Sequence, residues 1–187
     1  MAMPVLKRRW TVADLRELPD DGNRYEVIDG ELFVTPAPTF RHQRAVGLLY
    51  RLLCDYLAVE RIGHALFAPA DVTFSEGRGL QPDLFVTPLV DGRPPERFED
   101  AGRLLLAAEV LSPSTARADR VKKRRVYREE GVAEYWIVDL DARTFERTSP
   151  ADGRVEVLDA TVEWHPDGAS MSFTVDVADY FQQVLEA

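Results

Sequence analysis

The chain predicts an α/β fold in which a central mixed β-sheet is flanked by helices and extended by β-hairpins at both ends. Three observations carry this. A long amphipathic stretch at residues 41–60 precedes several short β-like runs. The segment LLLAAEVL at residues 104–111 is nearly all apolar and reads as a strand covered on both faces. A helix-like stretch then separates it from a second apolar run, YWIV at residues 135–138. Strand, helix and returning strand make a crossover, which favours a parallel pair inside a sheet. With 187 residues the chain is read as one domain over 1–187. Its core spans about 40–140, with an N-terminal helix and hairpin at 11–38 and a C-terminal β extension and helix at 141–187.

The elements follow in order. Thr11 caps a short helix over residues 12–18, which Pro19 stops. Strand-like runs at 25–28 and 31–34 flank Asp29-Gly30, a two-residue hairpin signal because both turn positions need positive φ. In the long helix, Ala45, Leu48, Leu49, Leu52, Leu53, Tyr56 and Leu57 recur at three- and four-residue steps and form one apolar stripe. Residues 66–75 alternate loosely, residues 77–82 are turn-like, and residues 83–87 form the next strand. A surface loop at 88–95 leads towards the strand at 104–111. The second helix covers about 117–130, with Ser114 or Thr115 as N-cap, Asp119 in the first turn and Gly131 at the stop. Asp152-Gly153 and Asp167-Gly168 are two further hairpin signals, and a helix at 177–185 closes the chain.

Composition narrows the function. Lys and Arg total 23 against 32 Asp and Glu, a net charge of −9. Proteins that coat DNA through its phosphates are basic, so that class is disfavoured. A single cysteine, Cys54, excludes an internal disulfide and a cysteine-rich zinc site. No apolar run reaches the ~20 residues of a membrane span, and the first ten residues lack a signal-peptide core. The expectation is a soluble cytoplasmic protein with no membrane partner.

Glu109 is the informative residue. It interrupts a buried strand, where an ionised carboxylate is costly unless a cation or donors compensate. Asp83 follows Pro82 at the start of another apolar strand. Taken alone it reads as a turn residue. With Glu109 it gives two neighbouring strands that each deliver a carboxylate near one end, a donor set suited to Mg²⁺ completed by waters and phosphate oxygens. Such an ion activates water for phosphate hydrolysis.

The cationic helix is the third element. Arg117, Arg120, Lys122, Lys123, Arg124, Arg125 and Arg128 read mostly as a solvated face. Asp119, Lys123 and Tyr127, however, stand four apart on one face. If that face packs on the sheet, Lys123 supplies the positive charge that Glu109 needs. Ser112 reads as a loop or capping residue, since no nucleophile elbow surrounds it. Gly77 and Gly79 do not make a phosphate loop. Tyr135 and Trp136 read as packing residues.

These blocks together, YEVIDGEL, Gln81-Pro82-Asp83, EVLSPST from Glu109, Asp119 with Lys123 and Tyr127, and GVAEYWIVD from Gly131, resemble the Uma-type family of putative restriction endonucleases. That family lies in the PD-(D/E)XK nuclease superfamily, and the resemblance covers about residues 11–177. It implies a restriction-endonuclease-like core. Asp83 matches the Asp of the Pro-Asp motif and Glu109 the acidic residue of the second half. Leu111 stands where the superfamily pattern has lysine; Lys123, in the following helix, is the matching position. Glu26 matches an acidic hairpin position and His42 a histidine at the start of the long helix, each a further ligand or substrate contact.

The function that follows is a metal-dependent endonuclease acting on DNA phosphodiesters. Asp83 and Glu109, with the backbone carbonyl of Val110, would hold Mg²⁺ or Mn²⁺, and Lys123 would position water or stabilise the transition state. Arg41, Arg44, Arg120 and Arg124 would attract phosphate locally. Cutting two strands suits a homodimer or higher homo-oligomer. The rival reading is a non-catalytic binding or assembly module on a nuclease-like scaffold, which the net charge favours.

Overall fold

The computed structural model describes residues 9–149 and 153–186. Thr11 opens the short helix α1 (Val12–Leu15) through a capping box with Asp14. The helix is one turn shorter than the apolar pattern predicts and unwinds before Pro19. Strands β1 (Arg24–Ile28) and β2 (Glu31–Thr35) form the predicted hairpin. Asp29 and Gly30 sit at φ 52° and 81°, as a turn matching the strand twist requires.

Helix α2 (Phe40–Glu60) starts at Thr39, whose hydroxyl accepts the N–H of His42. Ala45, Val46, Leu49, Leu53 and Leu57 are its buried face. Strand β3 (Gly63–Phe67) follows. The loosely alternating run at 66–75 is not one strand: it breaks at a cis Ala68–Pro69 bond, and β4 (Val72–Ser75) belongs to another sheet. Part of the segment read as a turn is a strand, β5 (Arg78–Leu80), which pairs with both β4 and β1.

The core sheet is completed by β6 (Leu84–Pro88), β7 (Leu106–Val110), β8 (Tyr135–Asp139), β9 (Thr144–Thr148) and β10 (Val155–Leu158). A short helix, α3 (Phe98–Ala101), lies between β6 and β7. Its order is β10-β9-β8-β7-β6-β3. Only β7 and β8 are parallel, across the predicted crossover. The hairpin and the β4–β5 pair form a separate four-stranded sheet, β2-β1-β5-β4. A last hairpin, β11 (Thr161–Trp164) with β12 (Phe173–Asp176), leads into α5 (Val177–Leu185). Asp167-Gly168 sits inside the long connection of that hairpin, so it is not a two-residue turn. Asp152 of the other predicted turn lies outside the described residues.

The crossover helix departs from a regular α-helix. It begins with a π-helical turn, Ala118–Lys123, in which the N–H of Arg124 reaches back five residues to the carbonyl of Asp119. Then α4 (Arg124–Glu129) runs to Gly131, at φ 70°. Val132 N–H bonds the carbonyl of Tyr127 at 2.9 Å and Gly131 N–H that of Arg128 at 3.2 Å, a Schellman stop. Thr115 makes no cap bond to the helix N–H groups; its hydroxyl meets Ser112 instead, 3.0 Å from the Ser112 hydroxyl and accepting the Ser112 N–H at 3.4 Å.

Alternation along the core strands separates two apolar clusters. Leu84, Val86, Leu106, Ala108 and Val110 face α2 and α5. Phe85, Ala107, Tyr135 and Ile137 face the other way, with Val126 and Tyr127 of α4 and with Ile28, Val72 and Leu80 of the small sheet. Two helices therefore share one face, and the crossover helix covers the other.

Candidate active site

The register of β6 and β7 positions the acids. Leu84 opposes Ala108, so one further step sets Asp83 against Glu109, on the face that holds Phe85 and Ala107. The crossover helix packs on that face and presents Asp119, Lys123 and Tyr127 along one side. Strand β1 adds Arg24 and Glu26, two residues apart on one face of the strand.

These groups interlock. Lys123 Nζ is 2.9 Å from Glu26 Oε1, 3.0 Å from Glu109 Oε1 and 3.5 Å from Asp119 Oδ1. Tyr127 donates its hydroxyl to Glu109 Oε1 at 2.9 Å. Glu26 Oε1 also accepts the backbone N–H of Gln81 at 2.9 Å. Arg24 Nη1 bonds Asp83 Oδ1 at 2.6 Å, and Asp83 Oδ2 meets His42 Nε2 at 3.0 Å and the N–H of Val110 at 2.9 Å. Glu109 and Lys123 are each only 1 % exposed.

Burial and charge push the two strand acids apart. Burial alone would raise Asp83, but the His42 hydrogen bond and the Arg24 and Lys123 charges hold it well below the usual carboxylate range. Burial raises Glu109 well above that range, against the pull of Lys123, and the neighbouring Asp83, Asp119 and Glu26 add to the rise. Asp119 is raised for the same reason. Burial would lower Lys123, but Glu109, Glu26 and Asp119 keep it firmly charged. Paired carboxyl groups driven in opposite directions are a common mark of a working site.

The Asp83 end of the cluster borders a cleft of about 1190 Å³, lined among others by Arg24, His42, Asp83, Ser112, Arg120 and Asp139, whereas Glu26, Glu109 and Lys123 are buried and do not line it. Among the described residues no three His, Cys, Asp or Glu side chains cluster as a preformed metal cage. The donor set instead fits a hard cation taking few protein ligands. Donors converge on Oε1 of Glu109, and Asp83 Oδ1 carries one hydrogen bond for two lone pairs.

The sequence-predicted residues Asp83, Glu109, Lys123, Glu26 and His42 thus meet in one place. The arginines differ. Arg120 pairs with Asp139 and Glu146, Arg124 with Glu146, and Arg41 with Asp141. Arg44 lies on the exposed side of α2. Sequence reading missed Arg24. The one sequence signal for it was the i, i+2 alternation with Glu26 on the strand of the hairpin.

The chain matches, over residues 12–178, the model of a family described as "Uma2: Putative restriction endonuclease". A crystal structure of a putative nuclease of the DUF820 group from Anabaena variabilis is similar, with a TM-score of 0.76 and 22 % identity, covering 94 % of this chain and 99 % of that one. That likeness shows the mixed α/β fold, a central sheet flanked by helices. No curated protein matches the chain. Among the described residues no helix is long and apolar enough to cross a membrane.

Proposed function

Because the chain belongs to the Uma2 putative restriction endonuclease family, we propose that it is a metal-dependent endonuclease hydrolysing DNA phosphodiesters at the Asp83–Glu109–Lys123 cluster. The observation that supports this most is Lys123 Nζ, held between Glu26 and Glu109 on the face of the sheet that also holds Asp83. A Mg²⁺ or Mn²⁺ held by Asp83, Glu109 and the Val110 carbonyl would polarise a phosphate oxygen and supply a water of lowered pKa.

The chain's own groups divide the remaining work. Asp83, kept ionised by Arg24 and His42, supplies fixed negative charge to the cation. Two of the three Lys123 hydrogens are taken by Glu26 and Glu109. The third, with only the 3.5 Å Asp119 contact, is the one for an attacking water or for charge developing on the phosphate. Glu26 acts as the anchor of Lys123, since its Oε1 already carries two hydrogen bonds. His42 steadies Asp83. A homodimer would let two such sites address two strands.

The second reading is a binding module on the same scaffold. It is favoured by the pairing of the cationic helix with carboxylates and by the net charge of −9. Plasmid cleavage with Mg²⁺ or Mn²⁺ by the wild-type protein and by Asp83→Ala separates the two. Metal-dependent nicking lost in the variant supports the enzyme. Equal cleavage by both proteins places the activity elsewhere. DNA retained without cleavage supports the module, and sedimentation at working concentration reads the oligomer.

A further inference from the structure

We propose that Tyr127 is a positioning residue of this site: its hydroxyl fixes the rotamer of Glu109, so that one carboxylate oxygen is committed to the protein and the other is presented to the cation. This rests on the metal-site reading above.

The geometry is specific. Glu109 Oε1 receives two donors, Lys123 Nζ at 3.0 Å and Tyr127 OH at 2.9 Å, and a carboxylate oxygen has two lone pairs. That oxygen is saturated. Neither bond touches Oε2, so Glu109 would offer a cation that one oxygen. Lys123 alone would not fix the carboxylate plane, because an ammonium is a rotatable point charge shared here with Glu26 and Asp119. The phenol is directional and immobile. Tyr127 is fully buried, its ring lies 4.8 Å from that of Tyr135, and Phe74 packs edge-on at 6.2 Å. Groups that orient a ligand in this way set metal affinity by about 10–100-fold.

The neighbouring Tyr135 supplies the control. It is also buried, but its hydroxyl donates to the backbone carbonyl of Asp119 at 3.1 Å and makes no hydrogen bond to Glu109. Mn²⁺ binding is measured by electron paramagnetic resonance for wild type, Glu109→Ala, Tyr127→Phe and Tyr135→Phe, with a melting curve for each. The expected result is one Mn²⁺ bound by wild type and lost in Glu109→Ala, about 10–100-fold weaker binding in folded Tyr127→Phe, and wild-type affinity in Tyr135→Phe. Wild-type affinity in Tyr127→Phe overturns the proposal, as does equal weakening in both tyrosine variants, which would mark a packing effect. If wild type binds no Mn²⁺, the metal-site reading itself fails, and this inference falls with it. If Tyr127→Phe does not fold, 3-fluorotyrosine at position 127 keeps the hydroxyl. Its fluorine resonance should shift as Mg²⁺ saturates the protein, and an unmoved resonance overturns the proposal.

Discussion

Replacing Lys123 by methionine tests the electrostatics of the site in a single change. The residue is 1 % exposed and its ammonium faces Glu26, Glu109 and Asp119 at 2.9, 3.0 and 3.5 Å. Methionine fills a similar space, so the cavity term is small and the lost charge dominates. Removing one partner of a buried ion pair costs about 3–5 kcal/mol, because the other charge is left uncompensated. For a domain of this size each kcal/mol moves the midpoint by about 2–4 °C, so Lys123→Met should melt about 6–20 °C below wild type near neutral pH. The pH dependence has a definite sign. Lysine, raised above its ordinary 10.5, contributes fully at all pH below that value. Glu109 and Asp119 are already raised above 4.5 and 3.8, and losing the ammonium raises them further. The folded variant must therefore hold protons that its unfolded chain releases as pH rises above the ordinary carboxylate range. The gap in stability should be wider at about pH 8 than at about pH 5. Scanning calorimetry or circular-dichroism melts across that interval make the check. A midpoint within about 2 °C of wild type at neutral pH, or a gap that narrows as pH rises, would refute the assignment of Lys123 as the compensating charge.

Three other outcomes are expected. Glu109→Gln removes a carboxyl that the fold holds above its ordinary range, a group whose contribution to stability is present at low pH and lost as pH rises; the variant should match or exceed wild-type stability at about pH 8 while Mn²⁺ binding, read calorimetrically, disappears. Gly131→Ala meets no atom within 4 Å, so its cost is the φ of +70° alone, about 1 kcal/mol or about 2–4 °C in the melting midpoint. If DNA lies along the start of α2, Arg44→Ala should lower the slope of log binding constant against log salt by about one, whereas an unchanged slope in fluorescence-anisotropy titrations would put Arg44 outside the contact.

Legibility in the sequence followed the strength of the local signal. The stripe of α2, the Asp29-Gly30 turn, the helix at 177–185 and the β7–β8 crossover were all visible, because period, turn chemistry and crossover handedness are local rules. The clash of Glu109 with an apolar strand pointed to the site, and the four-residue spacing of Asp119, Lys123 and Tyr127 pointed to its partner. What stayed hidden depends on tertiary pairing. Three residues, Arg78–Leu80, are too short and polar to announce a strand, and become one only by docking between β1 and β4. The π-helical turn was invisible because helix propensity and apolar periodicity do not encode an extra residue in one turn. Arg24 was missed because a charged residue at a strand start reads as solvated until Asp83 is seen opposite.

The cationic helix and the negative net charge answer one question together. On the outer side of the crossover helix, cations stitch the small sheet to the core: Arg125 pairs with Asp29, Lys122 with Glu31, and Arg78 of β5 with Asp29, Glu129 and Glu130. Each exposed pair alone is worth little, but Arg78 forms a fork with three carboxylates and Lys122 also lies over the Phe33 ring. Their common effect is to clamp the hairpin that carries Arg24 and Glu26. Those two residues are the ones that hold Asp83 ionised and anchor Lys123. The helix charges therefore reach the buried cluster through the hairpin: they hold the strand whose Arg24 and Glu26 bond Asp83 and Lys123. Cations paired in this way contribute little to attracting phosphate at long range, in keeping with a chain of net charge −9.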